Sequence, residues 1–85
     1  MDFDEYQELA KLTDQTPGNG EFKTALQVLA LQSKVGDLSA LFKKFFRKQM
    51  TSRALGNSIE RAIGDILWYL VAVANSRSLS MTEVA

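Results

Sequence analysis

The chain contains neither cysteine nor histidine. The first absence excludes a disulfide framework. The second removes the usual soft metal ligands and leaves Thr51 and Ser52 with no imidazole base, which excludes a hydroxyl nucleophile of the Ser-His type. Any metal site must therefore be built from oxygen donors, a set that suits Mg2+, Mn2+ or Ca2+. Long apolar runs are missing too. The longest, Ile66 to Ala74, has nine residues, far short of the roughly 20 that span a bilayer. The N-terminal stretch Met1-Asp2-Phe3-Asp4-Glu5 is acidic, unlike the basic start of a signal peptide, so a cytoplasmic soluble protein is expected. No glycine-rich phosphate loop of the Walker type is present.

What remains is 85 residues of ordinary composition and zero net charge, enough for one domain with a modest core. The charge is unevenly spread. Residues 1–14 hold Asp2, Asp4, Glu5, Glu8 and Asp14 against Lys11, whereas residues 34–61 hold seven basic side chains against Asp37 and Glu60. This asymmetry favours an anion-facing surface on the middle of the chain.

Phe3, Tyr6, Leu9, Ala10 and Thr13 recur at helical spacing and predict a helix over 3–13. Thr16-Pro17-Gly18-Asn19-Gly20 is dense in breakers and reads as a loop. A long helix is expected from Phe22 to Lys48, with a broad apolar stripe through Leu26, Leu29, Ala30, Val35, Leu38, Leu41, Phe42, Phe45 and Phe46. Gln49 to Asn57 reads as a second connection broken at Gly56. Ser58 then serves as N-cap of a helix running to Arg77. That helix is apolar nearly all round between Ile66 and Ala74, so it needs neighbours on more than one side, and a second copy of the chain would supply one. Ser80-Met81-Thr82-Glu83 has capping-box spacing and starts a fourth helix at Met81. No segment alternates with period two. The expected class is all-α, a single domain over 1–85 built as an antiparallel helical bundle and completed by oligomerisation.

Two segments echo each other: Lys34-Val35-Gly36-Asp37-Leu38 and Ala62-Ile63-Gly64-Asp65-Ile66. Helical glycine costs roughly 1 kcal/mol relative to alanine, so the repeat suggests close backbone packing with converging carboxylates. The order Asp4-Glu5-Tyr6-Gln7, then Leu31 through Leu38, then Ile63-Gly64-Asp65-Ile66-Leu67-Trp68-Tyr69-Leu70-Val71-Ala72 and Leu79 through Ala85 resembles the MazG-like nucleoside triphosphate pyrophosphohydrolases along nearly the whole chain. The resemblance implies an all-α dimer or tetramer that uses Mg2+ to split a nucleoside triphosphate into monophosphate and pyrophosphate. Its metal ligands would come from a Glu-Glu-x-x-Glu motif and a Glu-x-x-Asp motif on successive helices.

Transferred position by position, the first motif falls on Ser33, Lys34 and Asp37, and the second on Ala62 and Asp65. Only Asp37 and Asp65 are carboxylates. Glu60 lies five residues before Asp65 and points roughly 140° away, so it does not complete the set. A bundle that has lost its ion is expected to gain either an ammonium between the two aspartates, for which Lys34 is placed, or an apolar filler such as Ala62. Mg2+-dependent hydrolysis should then be absent or weak, and the protein should act by binding a nucleotide or another protein. A minimal Mg2+ site on Asp37, Asp65 and substrate phosphates is the alternative, and a helical interaction scaffold a further one.

Lys43, Lys44, Arg47 and Lys48 interleave with Phe42, Phe45 and Phe46. The simplest reading sends the aromatics to the core and the cations to solvent, with no membrane or nucleic-acid partner. Phosphate binding by these cations stays open. Trp68 and Tyr69 read as core or oligomer interface, and Asn75 as a polar helix-end residue.

Overall fold

The computed structural model describes residues 1–85 and contains four helices and no strand: α1 (Phe3–Thr13), α2 (Gly20–Phe46), α3 (Ser52–Ser76) and α4 (Met81–Val84). None is long and apolar enough to cross a membrane. Helix α1 starts where Asp2 Oδ1 accepts the Glu5 N–H at 2.8 Å, an N-cap reinforced by acids in the first turn. The loop after it requires Gly18. That residue has φ +84°, and a Cβ there would sit 2.6 Å from Phe22.

Four boundaries differ from the sequence expectation. Helix α2 begins at Gly20, two residues before Phe22. Helix α2 ends at Phe46 instead of Lys48, because Lys48 takes φ 59° and closes the helix. Its N–H donates to Phe45 O at 3.0 Å, and the Gln49 N–H donates to Lys44 O at 2.9 Å. This is a Schellman closure on a residue other than glycine. Helix α3 then begins six residues before Ser58, with Thr51 as N-cap accepting the Ala54 N–H at 3.1 Å. Gly56 lies inside that helix and breaks nothing. Helix α3 ends at Ser76 by the same device at Ser78, φ 56°, with Leu79 N–H donating to Ala74 O at 2.8 Å.

Helices α2 and α3 pack as an antiparallel hairpin, α1 packs on α3, and α4 packs on α1. On the facing sides of the hairpin, Leu31, Leu38, Leu41 and Phe45 of α2 and Ile59, Ala62, Ile66 and Val73 of α3 are half-buried. The fully enclosed core is small: Ala10, Leu55, Val71, Ala72 and Ala74, with Gln7 and Gln27. The expected aromatic core fails in part. Phe45 is half-buried, but Phe42 is 40% and Phe46 75% exposed. Leu29 and Val35 of the expected stripe are exposed as well. The molecule is elongated, 43 × 28 × 21 Å.

Polar side chains tie the elements together. Gln7 Nε2 donates to Asn75 Oδ1 and Leu79 O, both at 2.9 Å. Its Oε1 accepts the Met81 N–H at 2.8 Å, and its backbone oxygen accepts Asn75 Nδ2 at 3.1 Å. Asn75 is thus a tertiary link between α1 and α3, a stronger role than a polar helix end. Asp14, whose side chain is 8% exposed, anchors the first loop. Its Oδ1 accepts from Thr16 N (2.9 Å) and Oγ1 (2.6 Å), and its Oδ2 from Gln27 Nε2 (2.8 Å). Burial pushes the Asp14 pKa up, but the Thr16 hydrogen bonds, the Lys23 charge and the Gln27 hydrogen bond outweigh it and hold it below the ordinary value.

Candidate functional site

Asp37 sits in the middle of α2 and Asp65 in the middle of α3, and the antiparallel pairing brings them to one cavity. That cavity is about 220 Å³ and is lined by Asp37, Leu41, Ser58, Arg61, Ala62 and Asp65. Three of the transferred motif positions therefore converge: Asp37, Ala62 and Asp65. Both aspartates are exposed, and Ala62 is half-buried.

The other positions do not join them. Ser33 is exposed on α2 and Lys34 is absent from the cavity wall. The expectation that the Lys34 ammonium bridges the two aspartates is not met, because the chain's ion pairs within 4.0 Å are Lys11–Glu8 and Lys23–Asp14. The cation that does line the cavity is Arg61, which the sequence reading passed over. Its signal was its place: Arg61 lies four residues before Asp65, one helical turn away, already inside the helix expected from Ser58. Glu60 stays outside the cavity, as its angular position implied.

The glycines of the two echoes need a different explanation from close packing. A Cβ built on Gly36 or Gly64 meets nothing within 4 Å, so neither glycine is needed to bring backbones together within the chain.

No three acidic side chains gather where they could hold a metal ion. Two carboxylates, one hydroxyl and a guanidinium do not fit the carboxylate cage that the MazG-like motif builds for Mg2+. Ala62 supplies no ligand where the motif has a carboxylate, and Arg61 adds positive charge to the same wall. What the cavity offers instead is a small open recess, mostly apolar in its lining, with a carboxylate on each wall and one cationic donor group. Tyr6 of α1 lies close enough to Asp65 to feel its charge. Burial first, and the Asp65 carboxylate second, push the Tyr6 pKa up.

The basic residues Lys43, Lys44, Arg47 and Lys48 are exposed at the closed end of the hairpin. None of them lines the cavity. Phe42 and Phe46 meet there as tilted rings with centroids 6.5 Å apart, and Phe45 and Phe46 at 5.8 Å. Trp68 and Tyr69 form an edge-to-face pair at 5.0 Å in the middle of α3 and are half-buried.

No protein-family model, curated protein or solved structure matches the chain.

Proposed function

We propose that this chain is a MazG-like helical protein of the cytoplasm that acts by binding a nucleotide or another protein, as a homo-oligomer, and not by Mg2+-dependent hydrolysis. The carrying observation is the composition of the α2–α3 cavity. Asp37 and Asp65 face it together, but Ala62 stands on its wall where a further carboxylate would be needed, and Arg61 adds a cation beside it. A small, thin-cored chain that exposes Phe46, Leu29 and Ile63 also suits a protein whose fold is completed by a partner.

A thermal-shift panel of divalent metals and nucleoside triphosphates on the purified protein tests this reading, because ligands that bind the native state raise its melting point. Stabilisation by a nucleotide without any need for Mg2+ is the expected result if the ligand is a nucleotide. No shift with any nucleotide moves the reading to a protein partner. Release of pyrophosphate from a common nucleoside triphosphate, lost in Asp65→Asn, would sink it.

One observation favours the alternative of a minimal hydrolase: the two aspartates do share a cavity. On that reading substrate phosphates and water would supply the remaining oxygens. Mg2+-dependent thermal stabilisation together with turnover would establish it. Ala62→Glu, which adds a carboxylate to the cavity wall, should strengthen Mg2+ binding if the surrounding geometry still suits the ion.

A further inference from the structure

The α2–α3 hairpin carries an apolar face that nothing in the chain covers. On α2, Val28, Val35 and Phe42 recur every seven residues and are 45%, 39% and 40% exposed. On α3, Ile63 and Leu70 are also seven apart, 57% and 43% exposed. At 100° per residue each stripe lies roughly 80° to the same rotational side of its helix's buried line. In an antiparallel pair that puts both stripes on one face of the hairpin. The Asp37–Asp65 cavity opens on the opposite face.

The middle and the closed end of the hairpin differ in their support. Helix α1 reaches α3 only from its midpoint onward. Tyr6 and Met1 share a cleft with Leu67, and Lys11 and Asp14 share one with Asn75 and Ser76. The remainder, residues 35–46 with 52–63, is an arm only two helices thick. The consequence is measurable in the whole chain. Its accessible surface is 6200 Å², where a compact monomer of this mass has about 5,000 Å². Its radius of gyration is 14.8 Å, where about 12 Å is usual. The excess surface, roughly 1,200 Å², exceeds the roughly 800 Å² that each partner of a standard specific pair buries.

Charge selects the register. Between Leu38 and Ile59 there are five cations (Lys43, Lys44, Arg47, Lys48 and Arg53) and no acid. The acidic α1 N-terminus lies at the middle of the molecule, where Asp4 of α1 meets Thr82 of α4 at 3.1 Å and Asp2 shares the Leu67 cleft. Glu5 belongs to the same first turn of α1.

We propose that a second copy of the chain occupies the apolar face, with the two arms overlapping antiparallel, so that the cationic end of each copy lies against the acidic α1 N-terminus of the other. This rests on the homo-oligomer part of the proposed function and adds the surface and the register. The twofold arrangement pairs the same patch on both copies. A parallel alignment would instead set two cationic ends side by side with no acid between them. The aspartate cavities remain open on the outer faces.

The test is self-association of the full chain by sedimentation equilibrium, at low and high salt, with circular dichroism to confirm that each variant keeps its helix content. The expected result is a dimer whose Kd weakens with salt. In one variant the arm is reversed (Lys43→Glu, Lys44→Glu, Arg47→Glu), in another the α1 end (Asp4→Lys, Glu5→Lys). Each alone should weaken self-association by about tenfold or more, and a one-to-one mixture should recover it, since reversed ends attract one another. A dimer indifferent to salt and to both reversals overturns the register while leaving the oligomer reading intact. A chain that stays monomeric at every concentration overturns both, and ligand binding in the thermal-shift panel is unaffected by either result.

Discussion

Truncating Gln7 to alanine removes three hydrogen bonds at once: those to Asn75 Oδ1, Leu79 O and the Met81 N–H, at 2.9, 2.9 and 2.8 Å. The groups left behind lose their partners at roughly 1–3 kcal/mol apiece if water stays out. A polar cleft of about 360 Å³ bordered by Gln7, Asn75, Leu79 and Ser80 lies alongside, and water entering from it offsets part of this. The loss is therefore set at the low end, about 3 kcal/mol in total. For a domain of this size that lowers Tm by about 12–24 °C, and the urea midpoint by about 3 M at a slope near 1 kcal/mol/M. Trp68 fluorescence and far-ultraviolet circular dichroism, followed at one fixed protein concentration, report the transition. Lys11→Ala is the matched control. It breaks an ion pair whose side chains are 54% and 73% exposed, worth less than about 1 kcal/mol. Exchange of the Met81 amide should accelerate in Gln7→Ala and not in the control. A Gln7→Ala melt that coincides with that of Lys11→Ala refutes the claim that this amide fastens α1 to α3 and α4.

Gly36→Ala and Gly64→Ala enter open space at unstrained backbone angles, so each should stabilise the chain by up to about 1 kcal/mol; a lowered melting temperature would mean that something packs on those positions in solution. The depressed pKa of Asp14 gives stability that is present above its unfolded value and is lost as pH falls through its folded one. Acid melts should therefore steepen below about pH 4, and Asp14→Asn should flatten that limb. Tyr6 works in the opposite direction. Its raised pKa leaves stability intact below about pH 10 and lost as pH climbs through the folded value, a loss that Tyr6→Phe should remove and that phenolate absorbance should track.

The helices were legible wherever apolar spacing and local capping agree. Helix α1 appears over 3–13 as its periodicity predicts, and α4 begins at Met81 with Ser80 Oγ accepting the Glu83 N–H at 3.4 Å. Helix ends were misread where a residue other than glycine holds the left-handed conformation. Lys48 and Ser78 take φ 59° and 56° without a compositional signal, while Gly56 carries that signal and does not use it. The convergence of Asp37 and Asp65 followed from their places on paired helices. The role of Arg61 did not, because a cation on an exposed helix face reads as solvated until the neighbouring helix is seen to form the other wall of the cavity. Gln7, Gln27 and Asp14 were invisible for a related reason. Burial of a polar side chain is decided by partners far along the chain, and no local pattern marks it.

The fastening of both chain ends has a consequence for the order of folding. The α2–α3 hairpin closes across the short turn Arg47–Thr51, whereas the Gln7 bonds to Asn75 and Met81 join residues 68 and 74 apart. Closing the larger loop costs roughly 2 kcal/mol more in chain entropy, so the hairpin forms first and the α1–α3–α4 lock last. Opening follows the reverse order. Amides of α1 and α4 should exchange through excursions that leave the hairpin standing. The apolar face proposed to receive a second copy therefore exists before the ends of the chain are tied, and any association through it could start on a molecule whose folding is unfinished.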